Sequence, residues 1–433
     1  MKPPKIEANL ATASRWTTIG LLAGLALVSY VERSNIAVAA NYIKPEFGLT
    51  DIQMGRVFSS FLIGYSLFQI PAGRMGDRFG PRLVLALAAL SWGLMTLLTG
   101  LLPGIFVSGT LGILWTFLVL RFLLGVGEAA TFPVAARAIA NWMRPTERGR
   151  ANAYVIAGVS LGSTITPPLT ALVMVRLGWR ASFYVASSLA FAFALIWWVV
   201  ARDRAPTASG PVAREPAPGA GESTVSWWRL FGNRNIVLLS LSYFVGGYIL
   251  YIFVFWLYTY LVDVRHFSVL RSGVFSSMPW IVAAVLTPVG GILSDHLVSR
   301  WGESTGRRVV AMTGLALSGL FLLYGAMAAN PYLAIAGLSL AVGFEEFTEG
   351  SFWAATINVA GPHAGAATGI LNMMGNLGGV ASTALVPILV HRFGWVVALG
   401  SGSVLAVLGA LLWLGIDARA RLDAGAVAEA MPE

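Results

Sequence analysis

The chain has 433 residues, 57% of them hydrophobic and 11% charged, with a formal charge of +9 and no cysteine. Soluble globular proteins carry about 25% charged residues, so these proportions, with a mean hydropathy of +0.73, exclude an ordinary soluble enzyme and imply a surface that mostly faces lipid. The missing cysteine excludes disulfides and thiolate metal sites. The four histidines (His266, His296, His363, His391) offer no pair at metal-ligand spacing.

Met1–Trp16 is polar and basic and leads into an apolar run from Thr17 that continues past Tyr30 without a small-residue cleavage site. That pattern predicts a first membrane span and not a removed signal peptide. Roughly 20 apolar residues are needed to cross the ~30 Å hydrocarbon core. Runs of that length fall over 17–40, 52–73, 83–103, 109–132, 150–174 and 182–201, and again over 235–262, 272–294, 309–328, 332–357, 365–390 and 395–416. The prediction is an all-α membrane protein with twelve transmembrane helices. Between the two sets, residues 203–224 are rich in Pro, Ala, Gly and Ser and read as a flexible linker. The segment 226–235, with Trp227, Trp228, Leu230 and Phe231, reads as a short interfacial helix.

Most of the 29 Lys and Arg fall on the side of the membrane that holds both termini and the linker. By the positive-inside rule this predicts cytoplasmic N- and C-termini. The basic residues are scattered through short loops, so the net charge is a topology signal and no nucleic-acid partner is expected. The two sets of spans also repeat each other. RLGWR (176–180) recurs as RFGWV (392–396), an offset of 216 residues that also relates Gly149 to Gly365 and Gly162 to Gly378, while GRMGD (73–77) recurs as GGILSD (290–295). The domains are therefore predicted as a six-helix half over 1–202, a linker with its interfacial helix over 203–234, and a second six-helix half with a short tail over 235–433. Pseudo-symmetric halves of this kind usually enclose a midplane site.

Charged residues within the spans are the candidates for that site, because each costs about 2.5–3.5 kcal/mol at bilayer depth on insertion scales. Glu32 and Arg33 lie in span one, Arg121 and Glu128 in span four. Arg121 and Glu128, seven residues apart, share one helical face to within about 20°. Glu32 lies about 100° from Arg33 and is expected to meet a different neighbour. A four-member cluster inside the first half follows, serving either as a salt bridge that only fixes packing or as a site for an anion. Arginine suits the second role because its planar fork grips a carboxylate bidentately. Tyr30 lies nearly on the Arg33 face, and Tyr65 precedes Gln69 by one turn. The aromatics Tyr248, Tyr251, Phe255 and Trp256 of span seven read as packing and interface belt before a sugar platform. In span ten, a continuous helix sets Glu345, Glu346, Glu349, Trp353 and Thr356 on one stripe about 100° wide. Three carboxylates so close repel one another. Either the stripe is solvated near a membrane face, or Glu349, beside Trp353, lines the substrate path or serves as a second proton site.

GRMGDRFGPRL (73–83) resembles the signature loop of the major facilitator superfamily, and GILSDHLVSRWG (291–302) is its weaker partner in the second half. YVERSNIAVA (30–39), RFLLGVGEAATFP (121–133), FWLYTYL (255–261), SFWAAT (351–356) and NMMGNLGG (372–379) are similar to the anion:cation symporter branch, which includes sialin-like and sugar-acid carriers. Two departures stand out: Tyr258 occupies a position where the branch usually has Pro, and span ten is more acidic than usual. The resemblance implies that Arg33 and Arg121 hold the anion and that Glu128 and Glu32 carry protons. It implies that Asp77, with Arg78 and Arg82, and Asp295 in the second half are gating parts. Ser160 and Asn372 fall at positions similar to polar substrate contacts. The implied function is proton-coupled uptake of a small organic anion, such as a sugar acid, by alternating access. The carrier is expected to be a monomer in the inner membrane, with the proton as coupling ion and no cofactor. Two rivals are a proton-driven exporter of amphiphilic compounds and a membrane sensor that binds without transport. No HExxH motif or nucleotide-binding loop stands out in the sequence, which argues against an enzyme.

Overall fold

The helix ends carry recognisable signals. Thr50 and Gln53 form a reciprocal capping box at the start of one helix, and the Asn233 and Asn330 side chains each accept from two backbone N–H groups at the start of others. Such caps satisfy amides that have no partner within the helix. Gly80, Gly178, Gly302 and Gly394 join successive helices with φ between 80° and 85°, a backbone region open to glycine and strained for other residues. Gly178 and Gly394 are the central glycines of the two repeated RLGWR and RFGWV segments.

The computed structural model describes residues 5–144, 147–203, 230–420 and 422, without the side chains of 5–14 and 362. The predicted flexible linker from 204 on and the start of the interfacial helix (226–229) lie outside the described residues, as do Lys2, Arg204, Arg214, Arg229 and Arg421 of the charge pattern. Among the described residues there are sixteen α-helices. The first seven are α1 (Lys5–Phe47), α2 (Asp51–Phe79), α3 (Pro81–Leu101), α4 (Thr110–Glu128), α5 (Thr131–Trp142), α6 (Arg148–Leu177) and α7 (Trp179–Val200). Then follow α8 (Arg234–Phe255), α9 (Leu257–Asp263), α10 (Val269–Ser276), α11 (Met278–Trp301), α12 (Glu303–Met327), α13 (Pro331–Glu346), α14 (Glu349–Ala360), α15 (Ala364–Phe393) and α16 (Trp395–Leu412).

Ten stretches among these are long and apolar enough to cross a membrane. The predicted spans over 52–73 and 332–357 are helical but fall outside those ten. The first is α2, which carries Arg56, Gln69 and Arg74. The second is not one helix. It breaks at Phe347–Thr348 into α13 and α14, so the single wheel drawn through Glu345 and Thr356 does not hold across the break. Thr348 makes the interruption: its backbone N–H and its hydroxyl both bond the Glu345 carbonyl, at 3.0 and 2.7 Å.

Contacts divide the chain into two compact units, one of residues 1–217 with 261–277 and one of 218–260 with 278–433. Within the first, α1 packs on α6, α2 on α4 and α3 on α7; within the second, the corresponding pairs are α8 with α15, α11 with α13 and α12 with α16. Small residues allow this packing, as is usual between apolar helices. A Cβ at Gly125 of α4 would run into the backbone of Phe61 and Tyr65 on α2, and one at Gly247 of α8 into the backbone of Gly375 on α15.

Candidate functional site

The close approach of α2 and α4 at Gly125 brings Arg121 and Glu128, one helical face of α4, against Phe61 and Tyr65. α1 supplies the remaining members. Arg33 forms a fully buried ion pair with Glu128, its Nη2 at 3.0 Å and its Nε at 3.3 Å from Oε2. Ser29, one turn earlier on α1, donates to the same oxygen at 3.0 Å. The Arg33 guanidinium also lies among three aromatic rings, its Cζ 4.7 Å from the Tyr30 centre, 5.0 Å from Phe61 and 4.6 Å from Tyr65. Cation–π contacts are worth about 0.5–1 kcal/mol at exposed sites and about 2 kcal/mol when desolvated, so the cage and the carboxylate together offset part of the cost of burying the charge.

Arg121 is used differently. Its Nη2 donates to the Arg33 carbonyl at 2.8 Å and its Nη1 to the Glu32 carbonyl at 3.4 Å, with Phe61 5.2 Å from its Cζ. It thus clamps the backbone of α1 at the site and keeps its charge close to both acids. Glu32 is completely buried beside Thr96 of α3. Arg33, Arg121, Glu32, Glu128, Tyr30 and Tyr65 therefore form one cluster. The Ser160 hydroxyl instead turns back to the Ile156 carbonyl of its own helix.

The charged residues of the two signature segments are helical, at the end of α2, the start of α3 and the last turns of α11, and form separate groups. Asp77 pairs with Arg137 of α5 at 3.4 Å. Arg78 lies over Phe79, while Arg82 stacks on Trp198 and donates twice to its carbonyl, with its own N–H bonded to Asp203. Asp295 pairs with Arg307 of α12 at 3.3 Å, and the same guanidinium nitrogen donates to Ser294.

In the second unit, Glu349 stands at the first turn of α14. Its Oε1 accepts from the Tyr243 hydroxyl of α8 at 2.7 Å and its Oε2 from the Trp353 indole at 3.1 Å. Tyr243 and Phe352 meet edge to face, and Phe352 packs in turn on Trp413, which fixes this corner. Asn372 contributes its carbonyl to the Asn376 side chain, and Asn376 accepts from Tyr251, both at 2.8 Å. Ser29, Phe61, Thr96, Arg137, Tyr243 and Asn376 went unmarked in the sequence. Two had a usable signal: Ser29 and Phe61 precede Arg33 and Tyr65 by one turn, on the same faces.

Relatives match along the whole chain. A probable sulfoacetate transporter, SauU, of Cupriavidus necator is 33% identical over 97% of this chain and 99% of its own. The hexuronate transporter of Bacillus subtilis is 28% identical over 86% of this chain and 87% of its own. Among solved structures, a bacterial homologue of the human lysosomal transporter Spinster superposes with a TM-score of 0.76 at 17% identity, covering 95% of this chain and 99% of that one. These relatives are transporters and not enzymes, and residues 22–301 match the family model described as Major Facilitator Superfamily. The chain, an all-helical protein with this fold, belongs to the major facilitator superfamily.

Proposed function

We propose that this protein is a secondary active transporter that takes up a small organic anion together with protons. The observation that carries this is Arg33: one buried guanidinium is shared between a carboxylate, Glu128, and a cage of three aromatic rings. A substrate carboxylate or sulfonate entering the cage competes with Glu128 for the arginine fork. Glu128, deprived of its cation in an apolar setting, then takes a proton, since a buried carboxylate without a partner is neutralised sooner than left charged. Anion and proton thereby travel together, and each is released when the other leaves. Arg121, fixed on the α1 backbone, provides the second positive charge, and Glu32 a second protonatable group.

The similar proteins carry sulfoacetate and hexuronate by name, and both are organic anions, which supports the same substrate class here. The remainder of the proposal is twelve spans in two six-helix halves joined over 203–234, alternating access, and an inner-membrane location with both termini cytoplasmic. Asp77, Arg78, Arg82 and Asp295 act in gating. A thermal-shift screen of the purified protein against sulfonates and sugar acids, at acidic and neutral pH, tests the substrate class. Stabilisation by an organic anion that is lost in Arg33→Ala is expected. Stabilisation only by neutral or cationic amphiphiles would contradict the proposal.

A further inference from the structure

The acids of α13 and α14 have no role in the Arg33–Glu128 exchange. Glu345, Glu346 and Glu349 sit at the break between the two helices, where the α13 C-terminus adds its own partial negative charge. Glu345 is more than nine-tenths buried, its Oε2 has no hydrogen-bond partner, and it lies against Gly246 of α8. Glu346 and Glu349 are half-buried.

No cation from the surrounding helices is committed to these carboxylates among the described residues. From α8 the group facing them is Tyr243, a neutral donor. α11 and α12 bring Asp295, Arg307 and Arg308. Arg307 is engaged with Ser294 and Asp295, and Arg308 donates to the Ile416 carbonyl. The charged groups of α15, His391 and Arg392, stand in its last turn. The first unit meets the same electrostatic problem with two arginines. The second meets it with neutral donors only, so the compensating charge has to come from solution.

We propose that the break between α13 and α14 is a second proton-binding site, in which Glu349, supported by Tyr243 and Trp353, shares an exchangeable proton with Glu345 and Glu346. Binding converts one carboxylate to a carboxylic acid and so removes one of the three like charges at the break. A proton fits better than a metal ion. No group of three or more His, Cys, Asp or Glu is arranged to hold a metal among the described residues, and both Glu349 oxygens are already directed at N–H and O–H donors. The site stands independently of which anion is carried.

Infrared difference spectra of the purified full-length chain between acidic and alkaline buffer read protonated carboxyl groups directly. In the double variant Glu32→Gln/Glu128→Gln, which removes the two buried acids of the first unit, a titrating buried carboxylic-acid band is expected to persist and to be lost on adding Glu349→Gln. Tyr243→Phe, which keeps the ring and removes only the donor, is expected to move the pH midpoint of that band. A band absent from the double variant, or one unchanged by both Glu349→Gln and Tyr243→Phe, would overturn the proposal.

Discussion

At Arg33 a single side chain meets a carboxylate, three rings and, in the proposed cycle, the substrate. Lysine keeps the charge there and loses the fork, so Arg33→Lys should weaken anion binding by about ten- to a hundred-fold, equivalent to roughly 1.5–3 kcal/mol for a hydrogen bond to a charged group. Isothermal titration of the purified variant measures this, and unchanged affinity would remove Arg33 from the clamp. Glu128→Gln mimics the protonated carrier. It should abolish uphill uptake driven by a pH gradient while leaving exchange of internal for external substrate, and concentrative uptake by the variant would take Glu128 out of the proton path. The charged members of this cluster were legible in the sequence because a charge inside an apolar run is conspicuous and costly. Thr96 was not, since a threonine in a span looks the same whether it touches lipid, another helix or a carboxylate.

Helix pairs set where those side chains meet, and glycine sets how closely the pairs approach. Gly247→Ala places a methyl group against the Gly375 backbone of α15 and should lower stability by about 1–3 kcal/mol, as overpacking does. Gly369→Ala, in the same packed pair but with open space at its Cβ, should be neutral or stabilising by about 0.5–1 kcal/mol, because alanine restricts the unfolded chain. Thermal melting in detergent compares the two. Asp77, in the last turn of α2, is expected to behave differently. Asp77 and Arg137 are both partly exposed, so their pair contributes under about 1 kcal/mol, and Asp77→Asn should melt like the parent. If Asp77 gates, the variant slows substrate exchange while binding affinity holds; lost affinity with normal exchange would assign it to binding. The break in span ten escaped the sequence because neither Gly nor Pro marks it. Thr348 ends α13 by bonding the Glu345 carbonyl through its own hydroxyl and amide, a local competition that composition does not reveal.

For the molecule as a whole, hydropathy and the 216-residue repeat carried most of what could be read in advance. The paired glycines Gly178 and Gly394 share their backbone conformation, and the three helix pairings of the first unit recur in the second. Short elements were illegible: α5, α9 and α10 interrupt or extend the apolar runs. Substrate identity was also out of reach, since an arginine cage specifies an anionic head and little about the rest of the molecule. Coupled uptake of an organic anion is the central claim, and reconstituted liposomes test it most directly. With an inside-alkaline pH gradient, liposomes containing the protein should accumulate labelled sulfoacetate or hexuronate above the external concentration, and a protonophore should collapse that accumulation. Accumulation unaffected by the protonophore, or uptake of neither anion under any gradient, would contradict it.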